Sequence, residues 1–387
     1  MIRIGIASLL TLAILQITPA SARADEATAF TPANPPPMKP IATHDTPAYR
    51  AAKLFLRGVN LGNYLEAKGW SVSVSAGEFA TMKREGFDHV RVPVAWHLSA
   101  GPAPDFTLSP EIFSRADFAV TNALNNKLAV ILNLHHFYAL DKDPAAATDQ
   151  FLKMWRQIAA HYRTYPDQLA FELDNEPHEN ATTELMNPIY AKVIPEIRQT
   201  NPKRTLFVEP GGWGNVSELK NLVLPPDDNV IVSVHCYEPF YFTHQGASWA
   251  GPDVRQTGIQ FPGPPATPLE VDTKLGLKKH VVDWIVNYNT LPAGKNPSGP
   301  DLFTSGLKNA RAWSDHYGRP VHFGEFGAIV KVDATSRANF YSAFRRAAES
   351  ESLGWCIWDW SANFRYWDKK TNAPMPGMHE ALFEKSK

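Results

Sequence analysis

Cysteine is nearly absent from this chain, with two in 387 residues, Cys236 and Cys356. That scarcity excludes a disulfide-stapled scaffold and a cysteine-built zinc module. An excess of one charge is missing as well, since 38 Lys and Arg stand against 39 Asp and Glu, a net of -1. Nothing in that balance holds a phosphate backbone, so nucleic acid is not an expected partner. No run is long enough and apolar enough for a good membrane span. There is no internal repeat. The one Gly-rich stretch, Gly211-Gly212-Trp213-Gly214, lacks the Lys and Ser/Thr of a phosphate loop. What remains is an ordinary folded composition, 44% hydrophobic and 20% charged, with 11 Trp and 32 Pro. Exposed Trp faces stack on flat ligands and sugar rings; buried ones are core.

The N-terminus has the layout of an export signal. Arg3 is followed by the apolar stretch from Ile4 to Ile17, and Ala22-Arg23-Ala24 supplies small residues two apart. Residues 1–24 are therefore expected to be a cleaved signal peptide, which makes the protein secreted or periplasmic and leaves no membrane attachment afterwards. Residues 25–49, with Thr31-Pro32-Ala33-Asn34-Pro35-Pro36-Pro37 and Pro40, are expected to form an extended Pro-rich tether. Residues 50–387 are then a single domain, expected to be monomeric.

In that domain, short apolar runs alternate with amphipathic segments. The expected strands are Phe55–Asn60, His89–Pro93, Leu128–Leu134, Leu169–Asp174, Thr205–Val208, Val230–His235, Pro320–Gly324 and Gly354–Trp358. Helical spacing marks Phe113–Asn126, Phe151–Tyr162, Leu185–Arg198, Leu275–Tyr288, Leu307–Tyr317 and Arg337–Glu349. Near-continuous apolar strands between helices indicate a parallel sheet covered on both faces. Eight of them indicate an α/β fold, a single (β/α)8 TIM barrel. An open doubly wound sheet fits less well, because the first strand runs into Leu61-Gly62-Asn63-Tyr64 rather than a dinucleotide fingerprint.

Active sites of such barrels lie at the C-terminal strand ends. Those ends carry Asn60, Asn63 and Glu66, then Arg91, His135 and His136, Asn175 and Glu176, Glu209, His235 and Tyr237, Glu325, and Trp358. So many polar groups at one end are not core packing, because each is costly to bury without a partner. Glu176 closes strand four and Glu325 closes strand seven. Two carboxyl groups across a barrel mouth suit glycoside hydrolysis, provided one is protonated, the other ionised, and their surroundings push the two pKa values apart. Alternation makes Asn133 and His135 point the same way, while His136 is expected to line a neighbouring subsite or lean outward. Adjacent histidines also suggest metal, but the i, i+4 spacing of a His-Glu-x-x-His site is absent, so no metal and no cofactor are expected. Alternation turns Cys236 outward and Cys356 inward, leaving two free thiols.

The pieces together resemble the cellulase-type glycoside hydrolase family 5. They are Arg57-Gly-Val-Asn-Leu-Gly-Asn63, Gly86-Phe-Asp-His-Val-Arg-Val-Pro93, Leu134-His135-His136, Phe171-Glu-Leu-Asp-Asn175-Glu176-Pro177, Val234-His235-Cys-Tyr237, Phe242-Thr-His-Gln-Gly-Ala-Ser-Trp249, Gly324-Glu325-Phe326-Gly327 and Trp355-Cys-Ile-Trp358. They stand in the family's order from Arg57 to Trp360. The resemblance implies Glu176 as general acid/base and Glu325 as nucleophile. It also implies that Arg91 and Tyr237 hold Glu325, His235 lies beside Glu176, Asn175 binds the 2-hydroxyl of the sugar, and Trp358 forms the floor beneath it. His135 and His136 complete the substrate-binding set. The chain departs from the family at Asp174, where an apolar residue is usual, and at Glu209, whose role is open. Glu172 and Asp174 are expected to be buried hydrogen-bonding acids rather than catalysts.

The reading is a retaining endo-β-1,4-glucanase acting on cellulose or related β-glucans. A β-mannanase, a xyloglucanase or a β-1,3-glucanase of the same family is the alternative. A non-catalytic carbohydrate-binding barrel predicts loss of a carboxylate or of Arg91, and all three are present. Glycosyl transfer through the same intermediate has the same sequence as hydrolysis.

Overall fold

The computed structural model describes residues 44–384 apart from 68, 70 and 71. The expected signal peptide and most of the expected tether lie outside the described residues. The part of the tether that is described differs from an extended strap: Pro47–Ala52 is a helix, with the Thr46 hydroxyl capping it and Pro at its first position. Ala48 is buried there, so the ordered domain starts before residue 50.

Eight parallel strands close in chain order: β1 (Arg57–Asn60), β2 (His89–Val92), β3 (Ala129–Asn133), β4 (Leu169–Glu172), β5 (Leu206–Val208), β6 (Val230–Cys236), β7 (Val321–Phe326) and β8 (Gly354–Ile357). β8 pairs with β1 through Arg57 with Trp355 and Gly58 with Cys356. Helices Ala76–Glu85, Pro110–Asn125, Pro144–His161, Thr183–Arg198, Asp301–Tyr317 and Ala334–Ser350 form the outer layer. Strand–helix alternation is not literal. The β5–β6 crossover is a 3₁₀ turn, Val216–Asn221, and the segment expected as Leu275–Tyr288 is the helix Lys279–Thr290. A short hairpin, Trp367–Asp368 with Ala373–Pro374, and a helix, Met378–Phe383, follow β8; the sequence reading left both out.

The barrel interior is filled in layers. Phe55, Ala129, Ile131, Ala170, Phe207 and Ile231 pack into an apolar plug at the bottom, with Ala48 against it. Above them lie the buried rings of His89 and His322, 5.2 Å apart. These rings occupy space left by glycines. A Cβ on Gly58 would fall 2.1 Å from the His89 ring, and one on Gly354 would fall 2.0 Å from the backbone oxygen of Phe55. Arg91, Glu172, Asn60 and His235 come next, so the barrel turns from apolar to ionic towards its C-terminal end.

One irregularity positions the site. Val234 pairs with Phe323 but His235 pairs with Glu325, so Gly324 is an extra residue in β7. Simple alternation from His322 would turn Glu325 outward; the bulge turns it in, beside His235. A Cβ on Gly324 would lie 2.4 Å from Ser233 Oγ, which ties the bulge to glycine.

Gly354→Ala is expected to cost about 1–3 kcal/mol or more in urea unfolding, because its Cβ meets rigid backbone. Gly294→Ala, with nothing within 4 Å, is expected to stay within about 0.5 kcal/mol of wild type.

Candidate active site

Arg91 rises from β2 into the barrel centre and is fully buried. Its Nε donates to Glu172 Oε2 at 2.5 Å and its Nη2 to Glu172 Oε1 at 3.3 Å. Nη1 donates to Glu325 Oε1 at 2.6 Å and to Asn60 Oδ1 at 2.9 Å. Nη2 also reaches Asn175 Oδ1 at 2.7 Å and Glu209 Oε1 at 3.4 Å. Burial disfavours the cation, but Glu172, Glu325 and Glu209 hold the guanidinium well above its usual range. Asn60 is in turn fixed by donating to the Gly324 and Ile357 carbonyls at 3.0 and 3.2 Å.

The second oxygen of Glu325, Oε2, accepts from the Tyr237 hydroxyl at 2.7 Å. Across the mouth, Glu176 Oε1 lies 2.8 Å from His235 Nδ1. One oxygen of Glu176, one of Glu325 and a ring nitrogen of His235 all lie within 4.8 Å of each other. Asn175 has its Oδ1 engaged by Arg91, which leaves its amide Nδ2 as the donor for a ligand.

The surroundings of His235 favour its protonated form. Burial opposes the charge, but Glu209, Glu325 and the hydrogen bond to Glu176 raise it well above 6.5. Glu176 is shifted the other way. Burial pushes its carboxyl up, yet the hydrogen bond and charge of His235 pull it below the usual range. Burial pushes Glu325 above the usual range, against His235, Arg91 and Tyr237. Both directions favour the proton on His235, hydrogen-bonded to Glu176, over Glu176 itself.

The histidine pair divides. Asn133 Oδ1 accepts from the Val94 N–H at 3.2 Å, so its Nδ2 donates to His135 Nδ1 at 3.1 Å. Burial and the neighbouring His136 hold His135 well below 6.5, hence neutral. Its proton is then on Nε2, which faces Glu66 Oε2 at 3.9 Å. The His135 ring lies parallel to Trp358, at 5.8 Å and 7°. His136 is half-buried, 3.8 Å from the same Glu66 oxygen, and stacks on the exposed Tyr138. Glu66, His135 and His136 are close enough to hold a cation. However, an Nε2 that carries the proton is a hydrogen-bond donor and offers no lone pair, which favours a hydroxyl ligand over a metal.

Among the aromatic residues that follow the strands, Trp96, Phe137 and Trp360 are core. Trp213 and Trp249 are 45% and 52% exposed. The Trp213 ring stacks on His178 at 3.6 Å, and the Trp213 backbone N–H donates to the carbonyl of Pro177, next to Glu176. The thiols are both free: Cys356 lies inside the barrel, 3.3 Å from Asn60 Nδ2, and Cys236 is half-buried. Asp174 is buried, and burial with Asp141 nearby keeps its carboxyl well above the usual range. Asn60, Glu66, Glu172 and Glu209 were absent from the binding set read from sequence; their position at strand ends was the available signal.

Residues 52–364 match the family described as Cellulase (glycosyl hydrolase family 5). The chain belongs to glycosyl hydrolase family 5. Among curated relatives, Endoglucanase H of Acetivibrio thermocellus is 29% identical over 305 residues, 78% of this chain. This chain spans 29% of that protein and 51% of Endoglucanase 3 of Fibrobacter succinogenes, which is also 29% identical. Endoglucanase C of A. thermocellus is 25% identical and matched over 91% of its own length and 79% of this chain. Among solved structures, Thermotoga maritima Cel5A superposes with a TM-score of 0.73 at 30% identity, covering 87% of this chain and all of that one. The clustered carboxyl groups thus lie within the region that carries the glycosyl hydrolase family 5 match.

Arg91→Met is expected to cost about 3–5 kcal/mol in urea unfolding, because Glu172 and Glu325 stay buried without their cation. Lys279→Met, which removes an exposed pair with Asp283, is expected to cost less than about 1 kcal/mol.

Proposed function

We propose that this chain is an exported retaining endo-β-1,4-glucanase. The observation that carries the reading is the spacing of Glu176 and Glu325, whose oxygens approach within 4.8 Å across the mouth. Retaining glycosidases place their carboxyl groups about 5–5.5 Å apart, whereas inverting ones leave about 6.5–9.5 Å for a water. In the first step Glu325 attacks the anomeric carbon. The glycosidic C–O bond breaks as the leaving oxygen takes the proton from Glu176. In the second step a water oxygen bonds to that carbon and gives its proton to Glu176. The bond to Glu325 breaks as the new one forms, and its electron pair returns to the carboxylate.

The surrounding groups suit these steps. Arg91 and Tyr237 both donate to Glu325, so they favour its ionised form against burial. His235 holds a proton one hydrogen bond from Glu176 and can reload it. The Asn175 amide is placed for the 2-hydroxyl of the sugar, His135 Nε2–H donates to another hydroxyl, and Trp358 supplies the flat surface between them. Export rests on the residue pattern of 1–24; among the described residues no helix is long and apolar enough to cross a membrane.

Glucan is favoured by the relatives, which are named endoglucanases at 25–29% identity. A broader β-1,4 specificity is supported by the structures of T. maritima Cel5A, which carry mannotriose in one case and cellobiose in another.

The test is reducing-end release from carboxymethyl cellulose, mixed-linkage glucan, xyloglucan, galactomannan and β-1,3-glucan. Activity on carboxymethyl cellulose is expected, and Glu325→Gln is expected to remove it. Activity on galactomannan alone would keep the mechanism and overturn the substrate; silence on every polymer would overturn the enzyme reading. The pH profile adds a second measurement. The Tyr237 hydroxyl lowers the Glu325 pKa. Tyr237→Phe is therefore expected to move the acidic limb of kcat/KM to higher pH.

A further inference from the structure

Glu209 follows β5, is fully buried, and has no part in the two-step chemistry above. Burial and a hydrogen bond shared with the Glu172 carboxyl hold Glu209 well above the usual carboxylate range, and both of its oxygens also face donors. Oε2 accepts from the backbone N–H of Glu176 at 2.9 Å. Oε1 lies 3.4 Å from Arg91 Nη2 and 3.1 Å from His235 Nε2, the latter off the line of a full hydrogen bond. The opposite ring nitrogen of His235 is the one that holds the Glu176 carboxyl. Glu209 therefore grips Glu176 at two places: directly at its backbone, and through the imidazole at its carboxyl group.

The backbone grip has a purpose in the geometry. Glu176 has φ 52°, a left-handed conformation that costs a non-glycine residue about 1–2 kcal/mol. Such a turn persists only when its surroundings hold it, and Glu209 Oε2 accepts the one N–H that belongs to it. Glu209 is itself clamped. The Tyr190 hydroxyl donates to its carbonyl at 2.7 Å. Gly214, at φ 66°, packs so closely that a Cβ there would fall 2.8 Å from Oε2. The consecutive left-handed residues Gly212, Trp213 and Gly214 thus wrap the chain onto this carboxyl.

We propose that Glu209 is a positioning residue for the acid/base, setting the reach and orientation of Glu176 without touching substrate. The inference rests on the retaining reading above. It predicts a selective defect. Steps that need proton transfer by Glu176 slow down, while attack by Glu325 on a sugar whose leaving group needs no proton does not.

The experiment compares wild type, Glu209→Gln and Gly214→Ala. Glutamine cannot present two acceptor oxygens, so whichever way it turns, its NH₂ meets an N–H. Gly214→Ala presses on Oε2 from outside and leaves Glu209 in place. Each protein is assayed on carboxymethyl cellulose and on 2,4-dinitrophenyl β-cellobioside, with the dinitrophenolate burst counting active sites so that unfolded protein does not register. For Glu209→Gln, kcat/KM on carboxymethyl cellulose is expected to fall roughly 100-fold per active site, the scale of a lost acid/base contribution. The burst rate constant on the dinitrophenyl substrate is expected to stay within about 3-fold, and azide is expected to restore turnover by replacing the water that Glu176 would activate. Gly214→Ala is expected to show the same split to a smaller degree. Equal losses on both substrates, or no loss on either, would overturn the assignment. The underlying reading is checked separately on wild type with a 2-fluoro cellobioside. If no sugar is trapped on the peptide containing Glu325, the retaining mechanism fails, whatever the variants do.

Discussion

A guanidinium buried at the centre of the barrel is the constraint on which the rest of the site depends. Burying a charge costs several kcal/mol unless every donor is matched, and Arg91 meets that demand with three carboxyl groups from three different strand ends. Glu172, Glu209 and Glu325 come from β4, the end of β5 and β7, and Asn60 and Asn175 supply the remaining acceptors. Closure of the sheet and assembly of the site are therefore one event. Only when β1 to β8 close in order do all these acceptors face one cation. The arrangement also explains why the barrel changes character along its axis. Phe55, Ile131, Phe207 and Ile231 fill the bottom, and the ionic layer sits above them, sealed from water on the lower side.

Backbone strain concentrates at the same end. Asn63, His136, Glu176 and Trp213 all have positive φ without being glycine, and all lie just past a strand of the barrel. Each such turn redirects a side chain that would otherwise follow the strand outward or along its axis. The Gly324 bulge does the same by a different means, shifting parity so that His235 and Glu325 share a side. The barrel supplies rigid supports, and the departures from regularity aim the groups.

This division explains what the sequence made legible. Eight apolar runs separated by amphipathic segments were enough for the barrel, because parallel strands buried on both faces leave that pattern and few folds repeat it eight times. The strand-end polar residues were equally visible, since polar groups at the ends of apolar runs stand out. What stayed hidden depends on distances between strands. Nothing along the chain marks Glu209 as the partner of Glu176, 33 positions away, nor Asn133 as the group that fixes the His135 proton. Period-two reasoning also has no signal for the bulge at Gly324. The helix Pro47–Ala52 was submerged in a Pro-rich stretch, where Pro at the first helical position looks the same as Pro in an extended tether.

The pKa directions give this site a particular logic. Two catalytic carboxyl groups need opposite charge states, and the simplest way to get them is a dry pocket for one and a cation for the other. Here Glu325 is buried, Glu176 is half-buried and both lie near cations, so burial alone does not separate them. His235 resolves the tie, because it sits within reach of both, 2.8 Å from Glu176 and 3.8 Å from Glu325. While it carries a proton it stabilises both carboxylates. When a sugar fills the cleft and brings its glycosidic oxygen to Glu176, the ion pair loses its solvent. Passing one proton across the 2.8 Å hydrogen bond then turns a separated charge pair into two neutral groups. On the proposed reading the proton reaches Glu176 as the substrate arrives, while the hydrogen bonds from Arg91 and Tyr237 favour a charged Glu325 against its burial.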